Sequence, residues 1–150
     1  MTHTSTLSNG PAITAITLGV RDVSVSERFY TDGLGFPLIN RVADDIAFVR
    51  AGHGLMLALW SVDQMPTEYG DVGHGALAPP VSLGHNVSAA DDVAMWHRRA
   101  VAAGAVSVTA PTVQSWGGVS ACVADPDGFR WDFVYNPSFA VADTGEVTGV

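Results

Sequence analysis

Asp132 stands out among the residues able to do chemistry, because it interrupts the otherwise apolar run Trp131–Tyr135 with a carboxylate. A carboxylate on a strand is costly unless water, a cation or a ligand reaches it. It is therefore a candidate to contact a ligand, or to act as a general acid or base. Arg130 shares its face of an extended strand, and a structural ion pair is the alternative reading. His85, within Val81–Val87, alternates with Ser82, Gly84 and Asn86 and so faces away from them. Its plain expectation is packing against a helix. A β-bulge would turn it to the polar face, where it becomes a second candidate acid or base. Trp60 and Trp116 stand at strand ends beside loops, where flat rings can grip apolar ligands; for Trp116 an edge or interface role is equally open. Trp96 and Trp131 read as core. His3, His53 and His74 lie in the tail or among glycines, and His97 follows Trp96 on a helix. Spacing alone supports no Ser-His-Asp or Cys-His constellation, and Gly117-Gly118 lacks the spacing of a phosphate loop.

The element that must position Asp132 is a hairpin. Asp125-Pro126-Asp127-Gly128 is a turn sequence: Asp125 caps, Pro126 presets φ, and Gly128 accepts the left-handed conformation. Val119–Ala124 and Phe129–Tyr135 flank it as strands. A type I turn closed by a glycine bulge pairs Asp125 with Phe129, Ala124 with Arg130 and Cys122 with Asp132. Ser120, Cys122, Arg130 and Asp132 then share one polar face, while Val123, Trp131 and Phe133 share a core face. A free cysteine on a strand is most often inert packing, but Cys122 would look onto the same cleft as Asp132.

The rest of the chain repeats a pattern. Ile13–Val20 reads as a strand, and Ser24-Val25-Ser26-Glu27 has capping-box form. A short helix follows through Tyr30, stopped by Gly33 and Gly35. Phe36–Val42, Ile46–Arg50 and Gly54–Trp60 are three strands. After a linker at 61–80 rich in Gly, Pro and Asp, Val81–Val87 is a strand and Ser88 with Asp91 a second cap. Val93, Trp96, Ala100 and Val101 have helical spacing, and Gly104 ends that helix. Ala105–Val113 and the hairpin complete the second set. Strand, helix, three strands thus occurs twice. The expected fold is α+β, with two βαβββ modules at 13–60 and 81–137 in a single domain spanning 13–137. Residues 1–12 and 138–150 read as tails.

The chain has 150 residues, is 47% hydrophobic and 15% charged, and carries a net charge of −8. That balance disfavours nucleic acid, whose binders need basic patches, and anionic membranes. The start lacks the basic-then-apolar pattern of a signal peptide. One cysteine excludes an intrachain disulfide and suits a reducing, cytoplasmic compartment.

With the βαβββ repeat, ITLGVRDVSVSERFYTDGLGF and ADPDGFRWDFVYNP resemble the vicinal oxygen chelate superfamily. This includes glyoxalase I, extradiol dioxygenases, and fosfomycin- and bleomycin-resistance proteins. The resemblance covers Ile13 to Pro137. It implies a cleft between curved mixed sheets and a homodimer as the common assembly. In metal-dependent members four inner-strand residues hold a divalent ion; here the matching positions are Ala15, Ala58, Ser82 and Asp132. Alanine has no donor atom and a neutral serine is a poor ligand, so the resemblance implies neither a metal nor another cofactor. The leading expectation is metal-independent binding or sequestration of a small organic molecule in the inter-sheet cleft, as in the bleomycin-resistance members. Trp60, Ser82, Trp116, Ser120, Cys122, Arg130 and Asp132 would contact it. The alternative is a glyoxalase-like lyase or isomerase, with Asp132, and His85 if it turns inward, as general acid or base. Purified protein is expected to carry no stoichiometric Zn, Ni, Fe or Mn; elemental analysis that finds such an ion retained after a mild chelator wash would contradict this.

Overall fold

The repeat read from the sequence is the architecture of the chain, an α+β fold of two βαβββ modules. The structure, a computed structural model, describes residues 10–73 and 75–150. In the first module, β1 (Ala15–Val20) is followed by α1 (Val23–Arg28), a π-helical turn (Phe29–Gly33), β2 (Leu38–Val42), β3 (Ile46–Gly52) and β4 (Leu55–Ser61). In the second, β5 (Ser82–Val87) is followed by α3 (Ala90–Ala102), β6 (Val106–Val113), β7 (Val119–Ala124) and β8 (Arg130–Tyr135). The sheet orders are β1-β4-β3-β2 and β5-β8-β7-β6. In each, the first strand lies parallel to the last and the other neighbours are antiparallel.

Neither expected helix cap is used. Asp22 caps α1, accepting from the amides of Ser24 and Val25 at 2.9 and 3.2 Å. Ser24 and Glu27, the supposed capping box, instead hold the Arg41 guanidinium from β2 at 2.8 and 2.7 Å. A distant guanidinium outcompetes the local amide because it forms charge-assisted bonds to both side chains. Helix α3 begins at Ala89 without a side-chain cap, so the Ser88–Asp91 expectation is corrected too. Its C-terminal end follows the sequence. Gly104 takes φ +115°, and Gly104 and Ala105 return their amides to Val101 and Ala100 in a Schellman closure.

Alternation decides which faces meet. Leu18, Val20, Leu57 and Leu59 of the first sheet join Val87, Val123, Trp131 and Phe133 of the second in one buried cluster with helix residues Val23, Phe29, Val93 and Ala100. The modules therefore pack through their helix-bearing faces. The open faces, which carry Thr17 and Ala58 on one sheet and Cys122 and Asp132 on the other, are not brought against each other among the described residues.

The junction is polar at its centre. The buried Tyr30 hydroxyl donates to Asp125 Oδ2 at 2.5 Å and accepts from Trp131 Nε1 at 3.0 Å. The other Asp125 oxygen accepts from the amides of Asp127 and Phe129 at 2.9 and 2.8 Å, closing the turn with Gly128 at φ +89°. Arg21, from the end of β1, donates to Asp127 Oδ1 through its amide and Nε at 2.9 and 3.2 Å, and its guanidinium also reaches the Pro126 carbonyl. Arg99 of α3 donates to the Gly33 carbonyl at 2.8 Å. Gly33 is needed there, because a β-carbon would come within 2.5 Å of Ala103 Cβ.

Two segments hold more structure than expected. The linker contains a 3-10 turn (Val62–Gln64) and α2 (Pro66–Tyr69). Met65 is buried against Gly19, where a β-carbon would meet its sulfur at 2.7 Å, and Tyr69 meets the Trp60 ring edge-on at 5.5 Å. The linker thus folds onto part of the first sheet's open face. Residues 138–150, expected as a tail, carry a small hairpin of β9 (Ala140–Val141) and β10 (Val147–Gly149). Most of the expected N-terminal tail, and His3 and His74, lie outside the described residues. Among the described residues no helix is long and apolar enough to cross a membrane.

Tyr30→Phe leaves two buried partners unpaired and is expected to cost about 1–3 kcal/mol, against about 3–5 kcal/mol for Trp131→Ala. Denaturant titration checks both; a wild-type midpoint for Trp131→Ala would refute the packing.

Candidate functional site

The hairpin register is the one its turn demands. Ala124 lies opposite Arg130 and Cys122 opposite Asp132. Through the parallel pairing of β5 with β8, Ser82 lies beside Arg130 and Gly84 beside Asp132. Ser82, Ser120, Cys122, Arg130 and Asp132 are therefore brought to one face of the second sheet, where all but the exposed Ser82 are half-buried.

The side chains on this face divide their partners. Arg130 does not pair with Asp132; its guanidinium donates to the Gly128 carbonyl at 3.1 Å. The expected ion pair is thus absent among the described residues, and the carboxylate has the Cys122 thiol, not Arg130, as its close neighbour. Ser120 accepts from Gln114 Nε2 at 2.9 Å. Burial pushes the Cys122 thiol up, and the Asp132 carboxylate raises it further against the opposing pull of Arg130. Cys122 is therefore held as a thiol, a poor nucleophile but a fair apolar contact.

The remaining candidates lie elsewhere. Trp60 is on the open face of the first sheet, its Nε1 donating to Asp45 Oδ1 at 3.3 Å. Trp116 is half-exposed on the turn before β7. Its ring lies against Gly118, where a β-carbon would sit 1.8 Å from Cζ3. This explains the second glycine of Trp116-Gly117-Gly118. His85 follows its plain expectation: the β5–β8 register runs without a bulge, so it faces α3. Its ring meets Trp96 edge-on at 5.2 Å and Phe133 at 6.4 Å. Burial lowers its basicity, with Asp92 acting weakly the other way. His85 and Asp132 are on opposite faces and do not form an acid–base pair.

The four family metal positions do not fit a divalent ion. Ala15 and Ala58 offer no donor, and Asp132 would stand with Ser82 alone. No group of three or more His, Cys, Asp or Glu side chains able to hold a metal occurs among the described residues.

One feature gave no signal in the sequence. Between the modules, on the side of His85 and Trp131, lies a cavity of about 430 Å³. Its walls come from residues far apart in the chain, and only the packing of one module on the other creates it.

Residues 12–133 match the family model described as Glyoxalase/Bleomycin resistance protein/Dioxygenase superfamily. Among solved structures, a glyoxalase-related enzyme from Fulvimarina pelagi is 34% identical, with a TM-score of 0.81 and coverage of 91% of this chain and 96% of that one. A glyoxalase/bleomycin resistance protein/dioxygenase from Nocardioides is 25% identical, with a TM-score of 0.68 and coverage of 85% and 84%. Lactoylglutathione lyase from Agrobacterium tumefaciens shares the fold at 18% identity, with a TM-score of 0.66 and coverage of 85% and 95%. No match was found among functionally curated proteins.

The lowered basicity of His85 has a sign. Near its ordinary value of 6.5 the unfolded chain takes up a proton that the folded chain refuses until lower pH. Stability from neutral His85 is therefore complete above that value and declines as pH falls through it. The wild-type denaturant midpoint is expected to drop between about pH 7 and pH 5 more than that of His85→Phe, which keeps a ring but cannot titrate. Parallel pH profiles for the two would remove this role from His85.

Proposed function

Because the chain belongs to the Glyoxalase/Bleomycin resistance protein/Dioxygenase superfamily, we propose that it binds a small organic molecule on the open face of its second sheet, without a metal ion. The observation that carries this reading is the Asp132 carboxylate, half-buried beside Cys122 and not engaged by Arg130. A carboxylate so placed favours a cationic or hydrogen-bond-donating ligand, as does the net charge of −8. The neighbouring thiol and hydroxyls supply contacts of low charge. The donor set at the family metal positions argues against Lewis-acid activation here.

Among the described residues, no second sheet stands opposite this face. The first sheet's open face carries Phe48, Met56 and Trp60, an apolar surface suited to closing such a site from a second copy. A twofold homodimer is the simplest arrangement that supplies it. A single free cysteine, Cys122, suits a reducing, cytoplasmic setting.

Calorimetry with a panel of cationic and neutral aromatic compounds tests the reading. Asp132→Asn is expected to weaken a cationic ligand by roughly 1–3 kcal/mol, and mass spectrometry should recover the ligand unchanged. A transformed product, with turnover reduced about 10²–10⁴-fold by Asp132→Asn, would instead assign Asp132 as a general base of a lyase or isomerase. Light scattering that gives only monomer mass at high micromolar concentration would count against the second copy.

A further inference from the structure

The cavity between the modules lies on the helix side of β5, away from the Asp132 carboxylate, although Ser82 and Gly84 on the edge of β5 border both. It is bounded by the edge strands β1 and β5, through Ile16 and Leu83, and by side chains that point to the helix-bearing faces. Its volume of about 430 Å³ falls within the range of about 300–1,000 Å³ usual for small-ligand sites.

Two aromatic groups line it. On one side Phe36 and Trp131 stand 5.9 Å apart at 35°, with Tyr30 behind them. On the other, Trp96 stacks on Phe133 at 6.1 Å and 20°, and His85 meets both rings edge-on. Leu34, Leu55 and Leu57 complete an apolar lining in which His85 is the one titratable side chain. Its imidazole makes ring contacts but no hydrogen bond among the described residues. The mouth adjoins a more polar pocket shared by Phe36, Ala51, Leu55 and His85, whose rim includes Arg50, His53, Asn86 and Glu146. The C-terminal hairpin closes over this point: a β-carbon at Gly145 would lie 3.2 Å from His85 Cε1.

From this geometry we propose that the inter-module cavity is a second binding site, specific for a neutral aromatic molecule bearing a hydroxyl group that hydrogen-bonds to His85. Flat rings on two sides favour an aromatic guest over an aliphatic one. The apolar lining and the acidic chain disfavour anions and leave little to compensate a desolvated cation. A neutral imidazole accepts from a phenolic hydroxyl, and a guest without that hydroxyl covers the ring nitrogen without giving it a partner.

The probe is 2-naphthol, with naphthalene as the same framework lacking the hydroxyl, followed by quenching of tryptophan fluorescence on the intact chain. 2-Naphthol is expected to bind saturably, about five- to tenfold more tightly than naphthalene, the factor for one net hydrogen bond. His85→Phe should abolish that preference. Ala51→Leu, which places side-chain volume in the cavity, should remove binding of both compounds while its denaturant midpoint stays at or above wild type. Asp132→Asn, on the opposite face, should leave the 2-naphthol constant unaltered, so failure of this site and failure of the open-face site are told apart. No saturable binding of 2-naphthol overturns the proposal, as does binding lost in Asp132→Asn but kept in Ala51→Leu. Equal affinity of wild type for the two compounds overturns the hydroxyl specificity, and remains readable if His85→Phe does not fold.

Discussion

The arrangement of the whole chain depends on one buried hydroxyl. Tyr30 belongs to the first module, Asp125 and Trp131 to the second, and the three meet where no water competes. Burial pushes the Asp125 carboxyl up despite the donors that Tyr30, Asp127 and Phe129 give it. It pushes the Tyr30 hydroxyl well above its ordinary range, with the Asp125 carboxylate adding to the effect. Each group would be costly to bury alone; together they are satisfied in one geometry only. An apolar junction of the same area would tolerate sliding, whereas this one fixes the angle between modules. Arg21 gripping Asp127 from the exposed side gives the turn a second point of attachment.

Fixing that angle has two consequences for binding. The helix-bearing faces come together imperfectly, and the remaining volume is the aromatic-lined cavity beside His85. The open faces take no part in this junction. The linker already covers part of one, through Met65 on Gly19 and Tyr69 on Trp60. The other carries the polar group around Asp132. Strand alternation thus sorts the chemistry of β8 cleanly: Trp131 and Phe133 to the interior cavity, Arg130 and Asp132 to the outer face.

What was legible in the sequence was local or periodic. The turn Asp125–Gly128 specified its own register because only one spacing satisfies a left-handed glycine and the flanking alternation together. The same alternation placed His85 against α3, since an unbroken strand cannot change faces. The caps were misread because Ser24 and Glu27 fit two roles equally well, and the choice was made by Arg41, which tertiary structure brings near. The tail at 138–150 was misread because two short strands separated by a turn give too few residues for a period to show. Tyr30 on Asp125 joins positions 95 residues apart, and no pattern within either segment announces the other. The cavity is further removed still, since it is the space left by that long-range contact.

The family positions show how far the chemistry of a site can depart from its scaffold. Ala15 and Ala58 keep the strand and the face, but they remove from the first sheet any donor to a shared ion. An ion held by Asp132 and Ser82 alone would have to keep most of its water and would gain little over solution. On the proposed reading, the outer face would recognise a ligand by charge and hydrogen bonding in a partly wet setting, where each contact is modest. The interior cavity works under the opposite condition, with little charge, much aromatic surface and one unpaired imidazole. A guest there would desolvate any polar group it covered without pairing, so in the proposed site a single hydroxyl would carry more discrimination than a full charge outside. The two proposed sites would therefore select different molecules, and what holds them apart is the packing of the modules around Tyr30.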